Sequence, residues 1–172
     1  MRVAALAVLV AALAACKKAP APAAAPTPEA VGAELATFPQ LLVPISTSTW
    51  VSMQAAAAQN DPMRSDANQY PHPYAHSTAI VGGREFPVLV AYTGVWLAPS
   101  PVPLQPMSVH QFLRAFGADP GTDVASVVAP RGGIVFTREQ LSDVSAAARA
   151  AGATSEDLPY SVVRGAARRP KP

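Results

Sequence analysis

Two pairs of adjacent glycines, Gly82-Gly83 and Gly132-Gly133, each divide a pair of short runs rich in apolar and β-branched residues. Consecutive glycines supply the positive φ angles that a tight turn between antiparallel strands requires, so each pair predicts a hairpin. The first joins Thr78–Val81 to Arg84–Trp96, and the second joins Ala125–Ala129 to Ile134–Phe136. Pro87 lacks an N–H to donate, so the second arm of the first hairpin needs an open edge or a bulge there.

Helix signals fall between and after these strands. Ser108 and Gln111 have capping-box spacing ahead of Phe112, Leu113, Ala115 and Phe116, with Gly117 as the stop. Thr137 and Gln140 repeat the spacing ahead of Leu141, Val144 and the alanines 146 to 148, with Gly152 as the stop. A third helix is expected from Ser48 to Gln59 with Thr49 as its cap. Proline-punctuated Pro39–Ser46 reads as an edge strand, residues 60 to 77 as a loop, and Pro99–Met107 as a proline-rich crossing. Asp119-Pro120-Gly121 reads as a turn that Asp119 and Asp123 bracket. Short strands interleaved with two or three short helices predict a small single α+β domain on a mixed, mainly hairpin-built sheet.

Of the 172 residues 36 are alanine, and 15 of these precede residue 38, so larger apolar side chains suffice for one modest core. The single cysteine, Cys16, excludes an internal disulfide, a CxxC redox pair and a zinc-thiolate site. Between Phe38 and Tyr160 six arginines face nine acids, while Lys17, Lys18, Arg164, Arg168, Arg169 and Lys171 make both ends basic. An acidic middle argues against nucleic acid as a partner.

The first fifteen residues carry one charge at Arg2 and then thirteen apolar residues, Val3 to Ala15. As a helix that run spans only about 20 Å, short of a hydrocarbon core of about 30 Å, and reads as an export signal. Leu13-Ala14-Ala15-Cys16 resembles the lipobox of bacterial lipoproteins. The resemblance implies cleavage before Cys16, diacylglycerol on its thiol and further acylation of the new amino terminus, such as a palmitoyl chain. Two or three chains at ~0.8 kcal/mol per buried CH₂ hold a protein stably on a bilayer. Lys17 stands where many such proteins carry an inner-membrane retention aspartate, which favours the outer membrane. The expected organisation is signal 1–15, lipidated Ala/Pro tether 16–37, α+β domain 38–160 and basic disordered tail 161–172. In polyproline geometry the tether from Lys17 reaches at most ~65 Å.

Phe86–Trp96 followed by Pro101–Val144 is similar to the amino-terminal domain of SseB-like proteins, the enhanced-serine-sensitivity family. The resemblance is carried by Tyr92-Thr93 at a strand end, the helix after Ser108, and Pro130 before Ile134–Gln140. Ala129 departs from the asparagine usual in the family. That family has no defined catalytic residues, so the likeness implies a fold rather than an activity.

No GxSxG elbow and no phosphate loop occurs. His72 and His76 have the four-residue spacing of paired metal ligands on a helix, but Pro71 and Pro73 disfavour helix there, so no metal or other cofactor is expected. His110 reads as a helix-surface residue and Glu156-Asp157 as a solvated pair. Tyr70-Pro71-His72-Pro73-Tyr74 offers two tyrosines on a proline-stiffened loop, a low-entropy contact surface. The expected function is therefore a lipid-anchored, non-catalytic envelope binding protein, held at the membrane through Cys16. Tyr70, His72 and Tyr74 would meet an envelope protein or wall partner. The alternative is a metal-dependent or other envelope hydrolase using His72, His76 and a nearby carboxylate.

Overall fold

A computed structural model describes residues 26–61, 67–71, 73–81, 83–99 and 101–165. Cys16 with the segment before it, His72 and the basic end from 166 onward lie outside the described residues.

Both expected hairpins form. Strands β2 (His76–Val81) and β3 (Arg84–Tyr92) pair antiparallel in register Ala79↔Phe86, with Gly83 at φ 76° in the turn. Pro87 lies one residue before β3 begins its parallel ladder with β5 (Val124–Ala129), so its missing N–H falls at the open end. In the second hairpin β5 pairs with β6 (Gly132–Thr137) up to Ala129↔Gly132. The two-residue turn is thus Pro130-Arg131, and the glycine pair opens β6, where Gly132 takes φ 147°.

The proline-rich segments were harder to read. The run expected at an edge forms β1 (Leu41–Pro44), which lies inside the sheet between β3 and β4 (Pro103–Met107). Pro44 fits because β1 touches β3 only at Leu42↔Tyr92 and then parts from it. Its carbonyl accepts the N–H of Ala75, while Ile45 N–H on the opposite side bonds to the Pro103 carbonyl. The expected crossing 99–107 contains β4 itself, which pairs with β1 from Leu41↔Met107 to Pro44↔Leu104. The order is β6-β5-β3-β1-β4-β7, with β2 on β3 and β7 (Val163–Arg164) on β4, a seven-stranded mixed sheet.

Four α-helices occur among the described residues, one more than the sequence indicated. The unexpected one, α1 (Pro28–Leu35), corrects the tether: Thr27 accepts the N–H of Ala30 as cap, Pro28 sits at the first turn, and Val31 and Leu35 are buried in the core. Helix α2 (Thr47–Ala58) is capped by Ser46 rather than Thr49, whose N–H the Ser46 hydroxyl accepts. Helix α3 (Val109–Ala118) has the expected Ser108–Gln111 capping box but runs past Gly117 to end at Asp119. Helix α4 (Leu141–Ala150) follows a 3₁₀ turn, Arg138–Gln140, in which Gln140 reaches back to the Thr137 N–H.

Alternation along the strands sends Leu41, Val43, Leu89, Ala91, Val127 and Phe136 to one face, beneath α1, α3 and α4. Phe136 is the hub there, edge-on to Phe116 at 5.5 Å and Phe112 at 6.5 Å. Leu42, Val88, Val90, Tyr92 and Leu104 face the other way and pack under residues of the 95–102 segment. Helix α2 covers a smaller cluster with Ile45, Met53 and Ala67. The domain is a small single α+β unit, and it includes α1 before residue 38 and β7 after residue 160.

Candidate functional site

After the 3₁₀ turn Ala67–Gln69, the chain comes back along the end of β1: Ser46 N–H donates to the Pro73 carbonyl, and Ile45 and Tyr74 form an isolated antiparallel bridge. The period of two then puts Tyr74 and His76 on one face. On β4 the same period aligns Gln105 with Met107, and on α3 the spacing 111, 114, 115, 118 makes one stripe of Gln111, Arg114, Ala115 and Ala118. Together with Tyr70, Pro71 and Pro73 these three rows line a cleft of about 380 Å³.

Two side-chain pairs stand in the lining. His76 Nε2 lies 2.6 Å from Asp119 Oδ2, and Arg114 Nη2 donates to Asp157 Oδ2 at 2.7 Å. Asp119 also accepts the Gly121 N–H at 3.0 Å on Oδ1 and the Thr122 hydroxyl on Oδ2. Burial pushes its carboxyl pKa up, but the bonds from Thr122, Gly121 and His76, with the charge of His76, outweigh burial and leave it below the usual aspartate value. Gln111 does double duty: its Oε1 takes the N–H groups of Ser108 and Leu158, each at 2.8 Å, and its Nε2 donates to the Leu158 carbonyl at 3.1 Å. This ties the 157–158 segment to α3 and sets Asp157 beside Arg114. Gln105 is 2% exposed, and its Oε1 has no hydrogen-bond partner among the described residues.

Of the residues singled out in the sequence, Tyr70 and Tyr74 both line the cleft. Tyr74 corrects the picture of an exposed contact residue, since it is 7% exposed and belongs to the main core, while Tyr70 is half-buried against the α2 cluster. His72 and Cys16 lie outside the described residues. His76 meets Asp119, one carboxylate that the hydrolase alternative needs, yet among the described residues no three His, Cys, Asp or Glu side chains converge as a metal group. His110 is half-buried in the first turn of α3 and takes no part in the cleft. Asp157 is exposed, as expected of a solvated residue, and is also paired with the exposed Arg114. Gln105 and Arg114 are lining residues that the sequence does not single out, since the proline-rich run around Gln105 hides β4. In Leu104-Gln105-Pro106-Met107 no alternation of apolar and polar residues marks Gln105, which shares a face with Met107. No protein-family model, curated protein or solved structure matches this chain.

Proposed function

We propose that this chain is a lipid-anchored protein of the bacterial cell envelope whose domain is a non-catalytic binding module. The anchor rests on the short apolar run and on Leu13-Ala14-Ala15-Cys16, with Lys17 favouring the outer membrane. The likeness of residues 86–144 to SseB-like proteins belongs to the same proposal, with a fold as its only content. The observation that carries the binding role is the cleft itself, where aromatic and proline side chains converge with a few polar groups in a volume ordinary for ligand sites. The contact surface is therefore the wall of Tyr70, Pro71, Pro73 and His76 together with the exposed stripe of α3.

Labelled fatty acid should enter the wild-type chain and not Cys16→Ser, and incorporation surviving that change would remove the anchor. For the binding role, protein, glycan and lipid fractions of an envelope extract should be passed over the immobilised full chain. Ala118 is exposed on the cleft, so Ala118→Trp fills it without touching the core. One fraction should be retained by the wild type and lost from Ala118→Trp at unchanged circular dichroism. Equal retention by both would mean that the cleft is not the contact surface. A hydrolytic activity abolished by His76→Gln would favour the hydrolase instead, for which the His76–Asp119 bond is the supporting observation.

A further inference from the structure

We infer that the cleft is a binding site for an uncharged sugar, resting on the reading of the cleft as the contact surface. Gln105 carries the inference. Gln105 is one of the residues lining the open cleft, and its buried amide oxygen meets no donor among the described residues, which costs stability for as long as no ligand supplies one. A ligand that presents an N–H or O–H to Gln105, with the side chain turned outward to meet it, would relieve that cost.

The charges select among such ligands. Arg114 is already paired with Asp157 and His76 with Asp119, so the partners offset one another and a charged ligand would desolvate its own charge for little net attraction. A hydroxyl need not do so. Asp157 has lone pairs beyond the one used in its pair, Asp119 Oδ1 has one beyond that taken by the Gly121 N–H, and the Arg114 guanidinium has N–H groups beyond its single bond to Asp157. Hydroxyls both donate and accept, so a ring bearing several of them can satisfy Gln105 and use these spare positions at once. The remaining lining of Tyr70, Pro71, Pro73, Met107 and Ala115 suits the C–H face of such a ring. An ordinary peptide backbone offers one donor per residue, fewer than a sugar ring bearing several hydroxyls.

The full chain, held in a detergent without a sugar headgroup, should be titrated with N,N′-diacetylchitobiose, with cellobiose and with tetraalanine amide while its amide NMR signals are followed. At least one disaccharide should shift the Gln105 side-chain amide and the Tyr70 and Arg114 signals saturably, and the peptide should not. Gln105→Met keeps the length of the side chain and removes the acceptor. It should weaken disaccharide binding about tenfold or more while raising the melting temperature of the free protein. Peptide-induced shifts in place of sugar-induced ones would overturn the sugar and leave the cleft as the contact surface. Absence of shifts from either disaccharide would overturn the sugar too. If retention of envelope fractions were also indifferent to Ala118→Trp, the binding surface would fall with it. Destabilisation by Gln105→Met would make Gln105 a structural residue and would equally overturn the inference.

Discussion

The last turn of α3 contains no basic residue, and Arg138, twenty residues on, supplies the missing charge. Its Nη1 donates to the Gly117 carbonyl at 2.9 Å and its Nη2 to that of Phe116 at 3.1 Å, the orphan acceptors of a helix end. The same guanidinium bonds to the carbonyls of Asp119 and Thr122 and lies 5.1 Å from the centre of the Phe116 ring. A planar fork is needed to span these acceptors, and an ammonium cannot do so. Arg138→Lys should therefore cost about 2 kcal/mol in urea unfolding, whereas Arg131→Lys at the exposed hairpin turn should be neutral. Because Arg138 fixes the turn that carries Asp119, the two residues are linked in the pH response. The folded pKa of Asp119 is below its unfolded value of 3.8, so its contribution is fully present above that value and is lost as the pH falls through the lower folded value. Asp119→Asn should be less stable near neutrality and should show a flatter acid limb below about pH 4. An unchanged acid limb in unfolding titrations would mean that the carboxylate is not held by its three donors.

Alanine misleads at the scale of the element, because it counts as apolar without saying what it packs against. In α1 and α4 small residues permit close approach. A Cβ on Gly32 would stand 2.5 Å from Ala147 Cβ, 2.6 Å from the Val144 carbonyl oxygen and 2.7 Å from the Ala148 nitrogen. Gly32→Ala thus sets two effects against each other. Helix propensity alone favours alanine by about 1 kcal/mol, but the collisions are with backbone that cannot rotate away, and overpacking of this kind costs about 1–3 kcal/mol. The net change should be a loss of stability in thermal unfolding, and a gain would show that the helices part freely. The same crowding explains why α1 was illegible: Val31 and Leu35 alone mark its buried stripe, inside a stretch dominated by alanine and proline. Prolines hid β4 for a related reason. Pro103 opens the strand and Pro106 lies beyond the two residues that pair with β7, positions that sheets tolerate but that sequence patterns read as interruption. Capping boxes and glycine turns, by contrast, are short-range devices complete within four residues, and both boxes and both hairpins were legible.

The cleft belongs to the whole molecule. Its Tyr70–Tyr74 wall stood out in the sequence, but Gln105, Arg114 and Asp157 come from a strand, a helix and a loop that only the tertiary arrangement brings together, so no local pattern announces them. The extent of the domain is likewise a tertiary fact. Judged by composition the folded unit begins at 38, yet α1 places Val31 and Leu35 in the same core as Phe112 and Phe136, while Val163 pairs with Leu104 and Gly165 N–H bonds to the Val102 carbonyl. Burying two such aliphatic side chains is worth about 1.5–3 kcal/mol each, so loss of α1 removes about 3–6 kcal/mol. Domains of this size are stable by only about 5–15 kcal/mol. A chain comprising residues 26–165 should accordingly melt as one cooperative unit, and limited proteolysis of the full protein should leave a fragment that begins before Thr27. A chain comprising 38–160 should be close to its unfolding threshold and should be cut readily within β3 and β6. Equal stability of the two chains would show that α1 lies on the core without supporting it, and would return the boundary to residue 38.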